Sequence, residues 1–429
     1  MLIQPASLRE TAAQLRSGER DLPSYLETTL DRLGAIEPQM RALVPEGDRR
    51  ERLLREAADL QARYPHPSER PPLYGVLIGV KDIFRAEGFD TRAGSTLPPE
   101  LFVGEESPIV SRLKALGALI LGKTVTAEFA YIEPGPTRNP HNLAHTPGGS
   151  SSGSAATVAA GLCALATGTQ TIGSIIRPAS YCGIVGFKPS FGRLSTAGVI
   201  PVSRSLDHVG VFTQDAAGME LAASLLCADW HPIHESRRPT IGIVGGPYLA
   251  QADQNMVAAF EDRLQLLERA GYRVQRIDED VFGDIAAVNA AAPALMAYEA
   301  AQVHAEWFAR YSDRYRPLTS GLIRRGQTIS DAEAQSYRTL QAETRARLHD
   351  RMQRAGIDLW VSPAATGAAP HGLGSTGNSI MNLPWTFTGL PTITLPAGKV
   401  DGLPVGMQWS AAFGADEQLI AWTIAMETV

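Results

Sequence analysis

Apolar positions recur at helical spacing near the start of the chain. Between residues 7 and 34 they fall every three to four positions, which predicts two amphipathic helices. Ser7 and Asp21 are expected to be the N-caps of these helices. The same spacing predicts a third helix over 49–63, and the four prolines between it and residue 73 predict a surface linker.

Strands and helices alternate along the rest of the chain. Continuous apolar runs predict buried strands over 73–80 and 118–123. A strand–helix–strand unit is predicted over 239–278, and a helical region rich in Ala, Glu, Gln and Arg over 284–354. The remaining predicted elements are helices at 108–117, 155–161 and 415–427 and strands at 164–171, 359–361 and within 383–410. Because strands and helices interleave throughout, one mixed-sheet α/β body is favoured over three separate domains.

The composition argues against several classes of protein. Hydrophobic residues make up 44% of the chain and charged residues 20%, which is typical of a globular protein. A net charge of −6 gives no electrostatic basis for binding nucleic acid or an anionic membrane. Three cysteines are too few for a disulfide scaffold, and the first residues lack the basic and apolar segments of a signal peptide. We therefore expect a cytoplasmic protein.

Lys81 ends the first predicted buried strand, whose eight residues carry no charge. A lysine in water has a pKa of about 10.4. Burial among apolar groups lowers that pKa, so an enclosed Lys81 would be neutral and could act as a general base near neutral pH. The alternative is that its side chain extends to the surface beside Asp82.

Two serines lie at turns that precede predicted helices or follow predicted strands. Ser150 lies in a run of glycine and serine at a helix start, and no Gly-Lys-Ser/Thr follows to make that run a phosphate loop. Ser174 follows Gly173 at a strand-to-turn junction, where converging N–H groups form oxyanion holes. Taken alone, each serine is also explained by a structural role, as a helix cap or a turn residue.

Together, these three sites resemble the amidase signature family. Lys81 lies in GVKD, Ser150 in GGSSSGSAA and Ser174 in GTQTIGSIIRPA, and the two serines are 24 positions apart, which is the family spacing. The resemblance continues through CGIVGFKP at 182–189, SLDHVG at 205–210 and GLPVGMQ at 402–408. It therefore covers most of the chain.

The resemblance implies a single large α/β/α sandwich around a mixed β-sheet. We expect one amidase signature domain over 1–429. Within it, 1–65 would form N-terminal helices, 73–215 the signature core and 284–354 a variable helical region.

The resemblance also implies a Ser–cis-Ser–Lys triad. Ser174 would be the nucleophile that accepts the acyl group. Ser150, preceded by a cis peptide bond, would bridge to Lys81, whose neutral amine would take a proton through Ser150, because a serine hydroxyl needs a base to become nucleophilic. The other implied roles are an oxyanion hole at the backbone of Thr171, Ile172 and Gly173 and support of the serines by Thr169 and Ser151.

The nucleophile turn departs from the commonest family pattern. Gln170 and Ile172 stand where many members have Asp and the first glycine of a pair. Ile172 is β-branched and resists positive φ, so either the turn keeps negative φ there or the oxyanion hole is altered. Arg177 lies three positions after Ser174 instead of two, which resembles the branch that includes malonamidase. Arg177 would then bind a substrate carboxylate, and an ion pair with a surface acid is the alternative.

Metal-assisted and cysteine-based chemistry are rival readings. His141 and His145 are four positions apart, but the prolines around them argue against a zinc-binding helix, and the chain has no His-Glu-x-x-His. Cys182 remains an alternative nucleophile. No metal or organic cofactor is expected.

A Ser-His-Asp triad is a third rival. Ser151 lies at the centre of a Gly-x-Ser-x-Gly sequence, and Asp207 and His208 would complete the triad. A proline-rich loop precedes that sequence where a nucleophile elbow needs a strand, which argues against this reading.

We therefore expect an amidase that hydrolyses a small linear carboxamide, one that carries a carboxylate, to acid and ammonia through a Ser174 acyl-enzyme. Tyr131 is expected to line the acyl pocket, with an ordinary core position as the alternative. The expected partner is the small-molecule substrate, without nucleic acid or membrane, and a homodimer is compatible with the resemblance. Two other functions stay open: a glutamine-hydrolysing subunit of a tRNA-dependent amidotransferase, and a degenerate, non-catalytic family member that serves as a binding scaffold.

Overall fold

The computed structural model describes residues 2–233 and 237–429. Its strands are β1 (Leu77–Lys81), β2 (Leu119–Thr124), β3 (Leu165–Gln170), β4 (Val185–Lys188), β5 (His208–Thr213), β6 (Thr240–Val244), β7 (Arg273–Ile277), β8 (Leu359–Pro363), β9 (Thr392–Val400) and β10 (Leu403–Ser410). They form one sheet in the order β2-β1-β3-β5-β4-β9-β10-β8-β6-β7. The predicted mixed-sheet α/β fold is confirmed.

The two ends of the sheet are parallel and its middle is antiparallel. β1 pairs in parallel with both β2 and β3, and β6 pairs in parallel with β7 and β8. The strands between them, from β3 through β10 to β8, pair antiparallel. Because β1 and β3 run in the same direction, their carboxyl ends meet at one edge of the sheet, where ligands commonly bind in α/β proteins.

Helices cover this sheet. They are α1 (Leu8–Ser17), α2 (Leu22–Met40), α3 (Arg49–Arg63), α4 (Pro108–Ala115), α5 (Ser152–Ala159), α6 (Ile176–Cys182), α7 (Ala216–Leu226), α8 (Gly246–Leu249), α9 (Gln254–Arg269), α10 (Ile285–Val303), α11 (Ala305–Tyr311), α12 (Pro317–Gly326), α13 (Asp331–Ala355), α14 (Leu383–Phe387) and α15 (Asp416–Glu427). α5 packs on β1 and β3, while α6 packs on β4, β9 and β10. All eight residues of α5 are buried, in agreement with its small side chains. No helix within the described ranges combines the length and the apolar character needed to cross a membrane.

Most of the predicted elements are present, with shifts that have local causes. The first buried strand begins at Leu77 instead of 73, because Val76 donates a turn hydrogen bond to the Leu73 carbonyl and Gly75 takes φ of 71°. Asp21 caps α2 by accepting from the Ser24 N–H, as predicted, whereas Ser7 occupies the N-cap of α1 without a side-chain capping bond. The elements β4, β5 and α6 were not predicted.

Candidate active site

Lys81 is the last residue of β1, and its side chain is fully buried. Its Nζ lies 2.9 Å from Ser150 Oγ and 2.7 Å from Thr169 Oγ1. The pairing of β1 with β3 brings Thr169 to this amine, and the Lys81 N–H donates to Thr167 Oγ1 of the same strand. Two of the predicted site residues, one on each side of the amine, are therefore within hydrogen-bond distance of it.

Burial also sets the charge of this lysine. It holds the pKa of the Lys81 amine well below its usual value of 10.5, while the negative charge of Asp207 acts weakly in the opposite direction. Both hydrogen-bond partners of the amine are hydroxyls, which do not require a charged donor. The amine is thus suited to accept a proton at neutral pH. The alternative in which Lys81 reaches the surface is wrong.

Ser150 follows a cis peptide bond at Gly149, in the position that the resemblance implied. Its carbonyl accepts from the N–H of Ala127, 3.0 Å away. Ser151 exchanges hydrogen bonds with the backbone of Thr169, at 3.3 and 3.4 Å. The Gly-Ser run is thereby attached to β3, and the role of Ser151 in supporting Ser150 stays a prediction.

Three side chains fix the turn that precedes Ser174. Thr171 donates to Asp207 Oδ1 at 2.6 Å, and Thr386 donates to the Ile172 carbonyl, also at 2.6 Å. Gln170 Oε1 accepts from the N–H groups at 175 and 176, 2.8 and 2.9 Å away, and its Nε2 donates to Thr386 Oγ1 at 2.8 Å. The side-chain amide of Gln170 therefore joins the start of α6 to Thr386. A carboxylate at this position would have no N–H group to donate to Thr386.

Neither Ile172 nor Gly173 takes positive φ in this turn. Ile172 keeps negative φ, which is the first of the two outcomes that the sequence left open. Gly173 also has negative φ, but a Cβ there would lie only 2.4 Å from Asn382 Oδ1 and 2.9 Å from Ser379 Cβ. Glycine is required at 173 by space and not by its backbone angles.

Ser174 lines a cavity of about 230 Å³ together with the turn residues 171–173. The Lys81–Ser150 hydrogen bond is formed, whereas Ser174 Oγ makes none with the described residues. The link between the two serines therefore stays a prediction. A larger cavity of about 990 Å³ lies between α2, the start of α3 and residues 134–136, and it holds none of the three triad residues.

Arg177 lies in the first turn of α6, only 2% exposed, and lines the same small cavity. Its Nε donates to the Thr376 carbonyl at 2.8 Å, and one terminal nitrogen donates to the Gly149 carbonyl at 2.6 Å. Burial lowers the pKa of its guanidinium to about 10, opposed by Tyr181. In the described part of the chain no acid forms an ion pair with Arg177, so the alternative of a surface salt bridge is wrong there. A buried guanidinium beside Ser174 can bind an anionic substrate group.

The remaining walls of the cavity come from residues around Tyr131 and from the helical region. Tyr131 lines it, half-buried, together with its neighbours 130 and 132. Of the helical region, Asn289, Pro293 and Met296 contribute to the wall. Two aromatic residues of the same region lie outside this wall: Tyr298 donates to Asp331, and the Trp307 ring packs edge-on against Phe102.

The residues of the rival readings have other partners. His141 Nε2 lies 2.9 Å from the Cys182 carbonyl, and His145 Nδ1 lies 2.8 Å from the Ala369 carbonyl. Burial raises the pKa of the Cys182 thiol, which disfavours a thiolate. Asp207 accepts from Thr171 instead of a histidine, and so supports the turn that precedes Ser174. Within residues 2–233 and 237–429, no three His, Cys, Asp or Glu side chains form a potential metal site.

Comparison with known proteins shows the family of the chain. The family model described as Amidase matches residues 24–420. The chain belongs to the amidase family. Its fold is that of a crystal structure of an amidase, with a TM-score of 0.89 and 30% identity over 99% of both chains. It also resembles the native peptide amidase from Stenotrophomonas maltophilia, with a TM-score of 0.84 and 26% identity over 99% of this chain and 96% of that one.

A relative by sequence carries a different name. One component of the glutamyl-tRNA(Gln) amidotransferase of Methanothermobacter thermautotrophicus is 29% identical over 92% of this chain and 93% of its own length. The family and its structural neighbours hydrolyse C–N bonds of amides, and this amidase is therefore an amide hydrolase. Its substrate is a separate question.

Proposed function

We propose that this amidase hydrolyses a small carboxamide that bears a carboxylate, releasing ammonia and the corresponding acid. The buried Arg177 in the wall of the Ser174 cavity is the observation that carries this proposal. A cavity of about 230 Å³ suits a substrate of a few carbon atoms, since drug-sized ligands occupy roughly 300–1,000 Å³. The position of Arg177, three residues after Ser174, is the feature that resembles the malonamidase-like branch.

The reaction would proceed in two steps. Ser174 Oγ forms a bond to the amide carbon while its proton passes through Ser150 to the Lys81 amine. The N–H groups of the 171–173 turn hold the oxyanion. The C–N bond then breaks as the proton returns through Ser150 to the nitrogen, which leaves as ammonia. Water attacks the acyl ester by the same relay, and the acid departs with Ser174 restored.

The charges of the cavity favour this reading over a glutaminase. A glutamine substrate carries an ammonium group that needs an acidic partner once it leaves water. The described residues that line the cavity include one cation, Arg177, and no Asp or Glu. A monoamide of a dicarboxylic acid presents only the anionic group, so it fits the wall without an unpaired positive charge.

The intact turn speaks against a degenerate, non-catalytic protein. Ile172 keeps an unstrained backbone and the turn is fixed at Thr171, Ile172 and the start of α6. A scaffold that had lost catalysis would have no need of a neutral buried lysine beside Ser150. The proposed reaction also requires no cofactor and no second protein chain.

A substrate panel tests the proposal. Ammonia release is measured with monoamides of short dicarboxylic acids, with neutral aliphatic and aryl amides of equal size, and with glutamine. We expect the monoamides to give the highest kcat/KM and Ser174→Ala to abolish turnover of all of them while its melting temperature stays unchanged. A preference for glutamine would refute the proposed substrate class. Activity that survives in Ser174→Ala would refute Ser174 as the nucleophile.

A further inference from the structure

One polar side chain belongs to the helical wall of the cavity that holds Ser174. Asn289, Pro293 and Met296 are spaced i, i+4 and i+7 along α10, so they share one face of that helix, and all three line the cavity that holds Ser174. From Ile285 to Ala297 the helix otherwise contains only Ala, Val, Pro, Leu, Ile and Met. An asparagine in such a stretch has no role in apolar packing.

Gln251 fixes the orientation of the Asn289 side-chain amide. Asn289 Nδ2 donates to Gln251 Oε1 at 2.9 Å, and Gln251 Nε2 donates in turn to the Tyr248 carbonyl at 3.1 Å. Because the Tyr248 carbonyl only accepts, Gln251 must present its oxygen to Asn289. Asn289 therefore directs its own oxygen away from Gln251, and this buried Oδ1 has no hydrogen-bond partner among the described residues.

The backbone at the same position also lacks its regular donor. Pro293, four residues after Asn289, has no N–H, so it cannot make the helical hydrogen bond to the Asn289 carbonyl. Two acceptor oxygens, one of the side chain and one of the main chain, thus occur at one residue of the cavity wall. A buried acceptor without a partner is costly, and a bound donor removes that cost.

We propose that Asn289 Oδ1 accepts a hydrogen bond from the carboxamide N–H of the substrate and thereby favours amides over esters of the same acid. This inference rests on the proposed function, and it adds the second contact of the substrate: Arg177 binds the carboxylate, and Asn289 binds the amide nitrogen. The donor must be uncharged, because no acid among the described residues lines the cavity to pair with an ammonium group. A site built to accept from an N–H discriminates against a substrate that lacks it.

Two substrates that differ only in the leaving group isolate this contact. They are the monoamide and the monomethyl ester of the same dicarboxylic acid. Both give the same acyl-enzyme on Ser174, but only the amide has N–H groups. We expect the wild-type KM to be lower for the amide, and Asn289→Leu to reduce this amide-over-ester advantage about 3- to 10-fold, the loss typical of one neutral hydrogen bond. The KM of the ester should change by no more than about 2-fold.

Two further variants complete the design. Asn378 lines the same cavity, but its Oδ1 already accepts from the Ile380 N–H, so Asn378→Ala is the matched control and should leave the amide-over-ester ratio unchanged. Asn289→Asp keeps an acceptor oxygen and adds a negative charge. It should retain the ratio while raising KM for the amide and the ester together, and it serves as the test if Asn289→Leu does not fold.

The possible outcomes separate this inference from the proposed function. A wild-type enzyme without activity on either compound would overturn the proposed substrate class. An active wild type whose amide and ester KM values shift by the same factor in Asn289→Leu would leave the substrate class standing and overturn the role of Asn289. If Asn289→Asp reduces the amide-over-ester advantage as much as Asn289→Leu does, the proposed role of Asn289 would also be overturned.

Discussion

Replacing Thr386 by valine removes one hydroxyl and preserves the shape of the side chain. That hydroxyl is fully buried, accepts from Gln170 Nε2 at 2.8 Å and donates to the Ile172 carbonyl at 2.6 Å. The change leaves one buried donor and one buried acceptor unpaired, at about 1–3 kcal/mol each, so we expect a loss of roughly 2–6 kcal/mol in the free energy of unfolding. The loss falls at the turn that is proposed to hold the oxyanion, which makes it a test of how that turn is positioned.

The expected effect on catalysis lies mainly in kcat. Thr386→Val deletes no oxyanion donor, but it loosens the peptide that carries one, so we expect kcat to fall about 10- to 100-fold, less than the roughly 10²–10³ that follows outright loss of a donor. KM should stay within about 3-fold, because Arg177 is untouched. Thr386→Ser keeps the hydroxyl and should recover most of kcat. The measurements are steady-state ammonia release and thermal unfolding of the same samples.

A neighbouring threonine supplies the control. Thr388 is equally buried, but its hydroxyl donates only to carbonyls of its own helix, at Pro384 and Trp385. Thr388→Val should therefore lower stability by about 1 kcal/mol and leave kcat within about 2-fold. Equal losses of kcat in Thr386→Val and Thr388→Val, or a failure of Thr386→Ser to restore kcat, would refute the positioning argument.

Four further predictions test the site. Activity should fall as the pH is lowered, because protonation of the buried Lys81 amine, whose pKa lies well below 10.5, removes the base; a rate that is constant from about pH 5 to about pH 9 would contradict this. The unfolded chain binds a proton on this amine that the folded chain does not, so unfolding of the wild type should become less favourable as pH rises, relative to Lys81→Met, and parallel stability curves would speak against it. Arg177→Leu should raise KM for carboxylate-bearing amides about 10- to 100-fold more than for neutral ones, and equal increases would remove the carboxylate clamp. Gly173→Ala should lower both melting temperature and kcat, because its Cβ meets Asn382 Oδ1 at 2.4 Å; an unchanged variant would show that the turn can move.

The parts of the site that follow from the sequence are those carried by contiguous motifs. Lys81 ends an uncharged apolar run, which marks it as a buried base, and Ser150 and Ser174 lie in glycine-rich turns whose spacing matches a family pattern. Thr169 was placed beside them by the same motif, and it does contact the Lys81 amine. The positions of buried strands such as β1 and β2 were predictable because these strands are continuous apolar runs.

The partners of these motifs depend on contacts that sequence spacing does not encode. Thr386 is 216 positions from Gln170, and only the assembly of the folded chain brings the two together. The fate of Ile172 was open because β-branching disfavours positive φ without deciding which angle the turn needs. Asn289 left one signal, a single amide in an otherwise apolar helical stretch, but nothing in the sequence showed that this face of α10 meets the nucleophile turn.

Both basic side chains of the site are enclosed, the neutral Lys81 completely and the charged Arg177 almost so. Dissolved ions screen exposed charges over about 8 Å in physiological salt, but they act far less on charges that they cannot approach. Sodium chloride should therefore slow only the arrival of an anionic molecule from the bulk, while the bond-making steps inside proceed at the same rate in dilute buffer and in brine.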